Sequence, residues 1–115
     1  MLFLCYPGCS TCAKAKAFLA AKQLDVTFRN IKTQPPTLAE LQSWYAKSGL
    51  PLARFFNTSG GQYRALGLKE KLPGLSEAEQ LALLATDGML VRRPILVQGD
   101  TMLVGFLPEE WGQAL

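Results

Sequence analysis

Leu2-Phe3-Leu4-Cys5-Tyr6-Pro7-Gly8-Cys9-Ser10-Thr11-Cys12-Ala13-Lys14-Ala15-Lys16-Ala17-Phe18-Leu19 is the stretch that decides the fold. Residues 2–6 form an apolar run too short for a helix and end at a Pro-Gly turn, so they read as a buried strand. Residues 10–22 read as a helix. Ala13, Ala17, Ala20 and Ala21 recur at helical spacing with Phe18, while Lys14 and Lys22 can reach water. Cys9 and Cys12 stand where strand hands over to helix. A helix N-terminus carries partial positive charge and unpaired N–H groups, and both stabilise a thiolate, the nucleophile of thiol chemistry.

Working outward, residues 24–31 alternate and are rich in β-formers, which predicts a second strand. Thr33-Gln34-Pro35-Pro36 breaks the chain, and Thr37-Leu38-Ala39-Glu40 is a capping box opening a helix to about Lys47, stopped near Gly49. Residues 51–56 read as a short helical turn, 57–61 as a loop and 63–71 as helical. Ser76-Glu77-Ala78-Glu79 is a second capping box, for a helix to about Thr86 that Gly88 ends. Residues 95–98 and 101–104 flank Gly99-Asp100 and read as a β-hairpin. Pro108 opens a final short helix, where its missing N–H costs nothing. The order is βαβ, a helical block, then ββα. This predicts an α/β, thioredoxin-like (glutaredoxin-type) fold: a four-stranded mixed sheet with a helical insertion, about 37–87, between the second and third strands.

Composition narrows the function. At 115 residues, 1–115 reads as one domain, and 49% apolar with 18% charged residues is ordinary globular composition. A net charge of +3 is too mild to argue for direct binding of nucleic acid, and no apolar run approaches a membrane span. The run from Met1 to Cys5 is too short for a signal sequence and no basic segment precedes it, so the expected location is cytoplasmic. Three cysteines fit one redox pair plus a spare in a reducing compartment. With no histidine, Ser-His-Asp, Cys-His and His-containing zinc sites are excluded. Cysteines at 5, 9 and 12 hold zinc poorly without a fourth soft ligand, so no metal is expected.

A lone Cys-x-x-Cys is a weak signal, but between the strand and helix of a βαβ unit it is a strong one. Residues three apart on a helical turn face one side, with Cα atoms about 5 to 6 Å apart, inside the disulfide window. Cys9, in the turn, is expected to be the exposed attacking thiol. Cys12, one turn in, is expected to resolve the mixed disulfide or sulfenic acid. Gly8 is expected to let a substrate approach the backbone, and Ser10 and Thr11 to offer hydroxyls and N–H groups to an anion. Cys5 reads as a small buried hydrophobe, with a third redox thiol as the alternative.

Arg92-Arg93-Pro94 is the second constellation. Pro94, just before a β-run, is the expected place for a cis peptide facing the cysteines. Arg93 is then expected beside Cys9, where a cation lowers a thiol pKa and a guanidinium forks an oxyanion. Arg92 reads as a surface residue. Trp44, Tyr45, Phe55 and Phe56 read as core of the insertion.

Tyr6-Pro7-Gly8-Cys9-Ser10-Thr11-Cys12, Leu90-Val91-Arg92-Arg93-Pro94-Ile95-Leu96 and Val104-Gly105-Phe106-Leu107-Pro108-Glu109-Glu110-Trp111, with Asn57-Thr58-Ser59-Gly60 and Tyr63-Arg64 between them, resemble the arsenate reductase-like (ArsC/Spx/MgsR) family. The resemblance covers essentially the whole chain. It implies the thioredoxin-like fold with a helical insertion, Cys9 as the redox-active thiol and Arg93 as its cationic neighbour. It also implies no bound cofactor and a thiol reductant as partner and electron donor: glutathione with glutaredoxin, or thioredoxin. In the glutaredoxin-linked arsenate reductases three arginines surround the oxyanion. Arg93 fits one, while the other two positions fall on Asn57 and Phe106, so weaker arsenate binding is expected. In the Spx-type regulators the Cys-x-x-Cys is a disulfide switch, and the partner is the C-terminal domain of the RNA polymerase α subunit. Two functions are therefore expected in competition: a thiol-disulfide oxidoreductase acting on a small oxyanion or disulfide, and a redox-sensing regulator.

Overall fold

A computed structural model describes all 115 residues. β1 (Leu2–Cys5) lies inside a four-stranded sheet of order β2-β1-β3-β4, with β2 at Thr27–Asn30, β3 at Ile95–Gln98 and β4 at Thr101–Val104. β1 runs parallel to β2, with Leu2 opposite Thr27, and antiparallel to β3, with Leu4 opposite Ile95. A parallel pair needs a crossover, which α1 (Ser10–Ala21) supplies. β3 and β4 are the expected hairpin, with Gln98 opposite Thr101.

Side chains alternate across a pleated sheet, and the two faces take different partners. Leu4, Ile95, Met102 and Val104 pack against α2 (Leu38–Ser48) and α5 (Glu77–Leu84) through Leu41, Trp44, Leu81 and Leu84. Phe3, Cys5 and Leu96 pack on the other face against α1 and α6 (Pro108–Ala114). There Trp111 meets Phe3, Phe18 and Phe106 edge to face. Burial of such a ring contributes roughly 1.5–3 kcal/mol. Trp111 Nε1 donates to the Gly105 carbonyl at 3.0 Å, so its one polar atom is satisfied.

Both capping boxes form, at Thr37 with Glu40 and at Ser76 with Glu79, and Gly49 ends α2 in the left-handed conformation. The predicted turn after Pro51 is a 3-10 turn at Leu52–Phe55. Phe55 and Phe56 are fully buried there, Trp44 nearly so, and Tyr45 packs edge to face on Phe55.

Four local expectations need correction. The buried stripe of α1 is Cys12, Ala15 and Leu19, while Ala13, Ala17, Ala20 and Ala21 face water. A run of alanines has no apolar side that periodicity can phase, and packing of Cys12 against β1 sets the rotation instead. The second strand begins at Thr27 rather than Leu24, because β1 starts at Leu2 and leaves nothing for the earlier residues to pair with. The predicted helix over 63–71 divides into α3 (Gly61–Ala65) and α4 (Leu68–Lys71), because Gly67 is left-handed at φ 63°. A 3-10 turn at Leu72–Gly74 follows. Finally, α5 stops at Leu84, and Gly88 opens another 3-10 turn, Gly88–Leu90, whose Met89 N–H donates to Asp87 Oδ1.

Arg29 joins β2 to α2. It donates to both Glu40 carboxylate oxygens, at 2.7 and 2.9 Å, and to the Gln34 and Pro35 carbonyls. The Arg29 hydrogen bond, aided by the N–H of Thr37, holds the Glu40 carboxyl below its ordinary 4.5 against a smaller opposing effect of burial. A depressed carboxyl stabilises the fold above its unfolded pKa and loses that contribution as pH falls through the folded value. Glu40→Gln keeps an amide oxygen for the cap but loses the charged pair. We expect it to cost up to about 1 kcal/mol at pH 7, since both partners are partly solvated. In urea titrations the gap between wild type and variant should close as pH drops below 4.5. A gap that is constant with pH would remove the ion pair from the account.

Candidate active site

Cys9 is the N-cap of α1, with extended φ −91° and ψ 121°. Its N–H donates to the Tyr6 carbonyl at 2.9 Å, closing the Pro7-Gly8 turn, and its carbonyl accepts from Ala13. No side chain caps the helix, so the first-turn N–H groups stay open beside the half-buried thiol.

A cleft of about 400 Å³ opens in front of this sulfur. Thr11 and Cys9 form one wall and Gly105, Phe106 and Leu107 the back. Arg54, the loop residues Asn57, Thr58 and Ser59, and the pair Arg92 and Arg93 complete it. No carboxylate lines it, and the chain's one salt bridge, Arg29 with Glu40, lies elsewhere. Three arginines therefore line a space without a counter-charge.

Each arginine has a structural reason to be there. Arg93 precedes Pro94 across a cis peptide bond, and its guanidinium lies 5.7 Å from the Tyr6 ring centroid. Its Nη1 reaches Met89 Sδ at 4.0 Å. The Arg92 N–H donates to the Phe55 carbonyl at 2.8 Å, Val91 bridges Phe56, and the Asn57 N–H donates to Leu90. This short antiparallel tie brings the turn bearing Arg54 alongside Arg92. Burial, and secondarily the charge of Arg54, lowers the pKa of Arg92. The Nε atoms of Arg92 and Arg93 are both buried without a hydrogen-bond partner. Neither Nε is presented to the cleft, so any contact the two arginines make there comes from their terminal nitrogens.

Several expectations meet this geometry differently. Cys9, Thr11, Asn57 and Arg93 line the cleft. Ser10 is exposed at the helix start and Pro94 is buried behind the arginines. Gly8 serves Tyr6: a Cβ there would sit 3.1 Å from Cε1 of that ring, so the missing side chain makes room for the aromatic. Cys12 does not pair with Cys9. Its sulfur is bonded to Cys5, Cα atoms 5.8 Å apart, and Cys9 is the free thiol. Cys5 and Cys12 both face the interior between β1 and α1, whereas Cys9 precedes the helix and points outward. Cys12 Sγ also accepts from the Tyr6 N–H at 3.4 Å.

Arg92 is half-buried and lines the cleft rather than standing free in solvent, and Arg54 joins it from a turn that carries no motif. Phe106 and Asn57 do line the cleft, but two other arginines supply positive charge there, so the expected loss of two guanidinium forks does not leave Arg93 alone. Arg54 and Arg92 are distant in sequence, and the bridge joining them has no strand-like run to announce it. The doubled arginine before Pro94 is the one sign of this charge in the sequence.

A family model described as "ArsC family" matches residues 4–114. The uncharacterized protein YusI of Bacillus subtilis (strain 168) is 49% identical over 111 residues, covering 96% of this chain and 94% of that protein. The global transcriptional regulator Spx of Streptococcus pneumoniae (strain ATCC BAA-255 / R6) is 31% identical, covering 90% of this chain and 77% of Spx. The crystal structure of an ArsC family related protein from Bacteroides fragilis superposes with a TM-score of 0.97 at 52% identity, over 99% of this chain and 96% of that one.

Proposed function

This chain belongs to the ArsC family, and on that premise we propose that it is a thiol-disulfide oxidoreductase with Cys9 as nucleophile. The observation that carries the reading is the free Cys9 thiol at an uncapped helix start, facing arginines that lack a carboxylate partner. The Cys9 thiolate attacks one sulfur of a disulfide RS–SR′. A Cys9–S–SR bond forms, the substrate S–S bond breaks, and R′S⁻ leaves with the electron pair. Open N–H groups and the Arg93 guanidinium stabilise the thiolate and an anionic substrate. A thiolate from glutathione, with glutaredoxin, or from thioredoxin then takes the SR group and restores Cys9. This external thiol does the resolving, because Cys12 is buried and bonded to Cys5. A small oxyanion such as arsenate uses the same parts: Arg93 forks its oxygens, Cys9 forms an S–As bond as one oxygen leaves as water, and two electrons from the thiol reductant, which ends as a disulfide, reduce As(V) to As(III) and release Cys9.

A panel with arsenate, a glutathione mixed disulfide and a thioredoxin-coupled assay tests this. Glutathione- or thioredoxin-dependent turnover of at least one substrate is expected, and turnover of none would sink the enzyme reading.

The similarity to Spx favours a second reading, a redox-sensing regulator that binds the RNA polymerase α C-terminal domain. Its signature is capture of that domain in one redox state only, with no turnover. Capture in neither state would remove it.

A further inference from the structure

We propose that Arg54 and Arg92 form an anion subsite separate from the reaction point at Cys9 and Arg93. It receives the carboxylate or phosphate arm of a small thiol or disulfide substrate. This rests on the reading of Cys9 as nucleophile and adds a substrate class to it.

The arginines of the cleft are held in two different ways. Arg93 is held by Tyr6 and Met89, beside the turn that carries Cys9. Arg92 is tied instead to the turn that bears Arg54, through its N–H to the Phe55 carbonyl and the bridge of Val91 to Phe56. Its stem crosses Gly105, where a Cβ would lie 3.2 Å from Arg92 Cδ. Gly105 is left-handed at φ 74°, and its N–H donates to the Pro94 carbonyl, so the backbone is shaped to let that stem pass. Two like charges lining one cleft with no acid among its lining residues repel each other until an anion arrives. A guanidinium pair binds carboxylate and phosphate oxygens in a fork. Thr58 and Ser59 add hydroxyls on the facing loop. The volume agrees: about 400 Å³ is the size of a small-molecule pocket, and a bare tetrahedral oxyanion fills only part of it.

The test is single-turnover thiolation of Cys9, followed by intact mass, with glutathione disulfide and with its tetraethyl ester. Only the first carries carboxylates. Wild type should react faster with the charged disulfide by about tenfold or more, the effect of one charge-assisted hydrogen bond. In Arg54→Met and in Arg92→Met that ratio should fall toward one. Arg54 is partly exposed on a 3-10 turn, so its variant keeps the test open should the Arg92 variant fail to fold. Inorganic phosphate should erode the wild-type preference if the subsite takes phosphate as well as carboxylate. If phosphate leaves the preference intact, the subsite is a carboxylate site. A wild-type ratio near one, or a ratio that survives both substitutions, overturns the proposal. Should Cys9 react with neither disulfide, the nucleophile reading fails. The subsite is then judged by titration with inorganic phosphate and, separately, with acetate as the carboxylate. Saturable shifts of the Arg92 Nε–H resonance that vanish in Arg54→Met support it, and their absence overturns it.

Discussion

Cys9→Ser is expected to reduce turnover of any disulfide or oxyanion substrate by a factor on the order of 10³ or more, since nothing else in the cleft can form the covalent intermediate. The hydroxyl fits the same helix N-cap, where serine is among the best residues, so the fold should be unharmed. That separates chemistry from structure: unchanged thermal unfolding with turnover lost is the expected pair of results. Cys12→Ser gives the contrast. Its sulfur lies between β1 and α1, bonded to Cys5, so its removal should leave thiolation of Cys9 by a disulfide in place. What should suffer is stability, by about 2 kcal/mol for a closed loop this short, and any step that needs an internal second thiol. If Cys9→Ser keeps its activity, the nucleophile lies elsewhere and the site must be redrawn.

Gly88→Ala should have the largest effect on stability. A Cβ at that position would be driven into the Ile31 carbonyl oxygen, and it would also meet Pro35 Cβ at 3.3 Å. The oxygen is main chain, just past β2, and the Ile31 N–H is engaged with the Cys5 carbonyl at 2.9 Å. Neither group can yield without loosening the pairing of β2 with β1. Destabilisation of roughly 3 kcal/mol or more is expected, lowering Tm by about 10 °C or more in a domain of this size. The Gly88–Leu90 turn leads directly to Arg92 and Arg93, so activity should fall with it. Gly112→Ala in α6 is the control, because nothing lies near its added Cβ and alanine favours a helix. Melting temperatures of the three proteins decide the matter. A Gly88→Ala protein as stable as the control would mean that this close approach of backbones is not what holds the insertion to the sheet.

Much of the fold is written in short-range chemistry. Thr37 with Glu40 and Ser76 with Glu79 place two helix starts because a cap involves residues three apart. Gly99-Asp100 between two β-runs makes a hairpin for the same local reason, and Pro94 takes its cis bond at the predicted place. Cys9 at the strand-to-helix turn is equally local, as is its neighbour Thr11 in the first turn.

Other features required the chain to fold back on itself. Which side of α1 is buried depends on Cys12 meeting β1, and a run of alanines carries no preference. Cys12 joins Cys5 rather than Cys9 because two interior-facing positions on different elements meet there, a pairing that spacing along one helix does not reveal. Arg54 and Arg92 come together only through the bridge of Phe56 to Val91. Caps, turns and strand alternation are energies between near neighbours, so the amino-acid order alone determined most of the elements, their order and the placing of Cys9 at a helix start. The charge around that thiol is a sum over residues far apart in the chain, and only tertiary packing decided which guanidinium groups reach it.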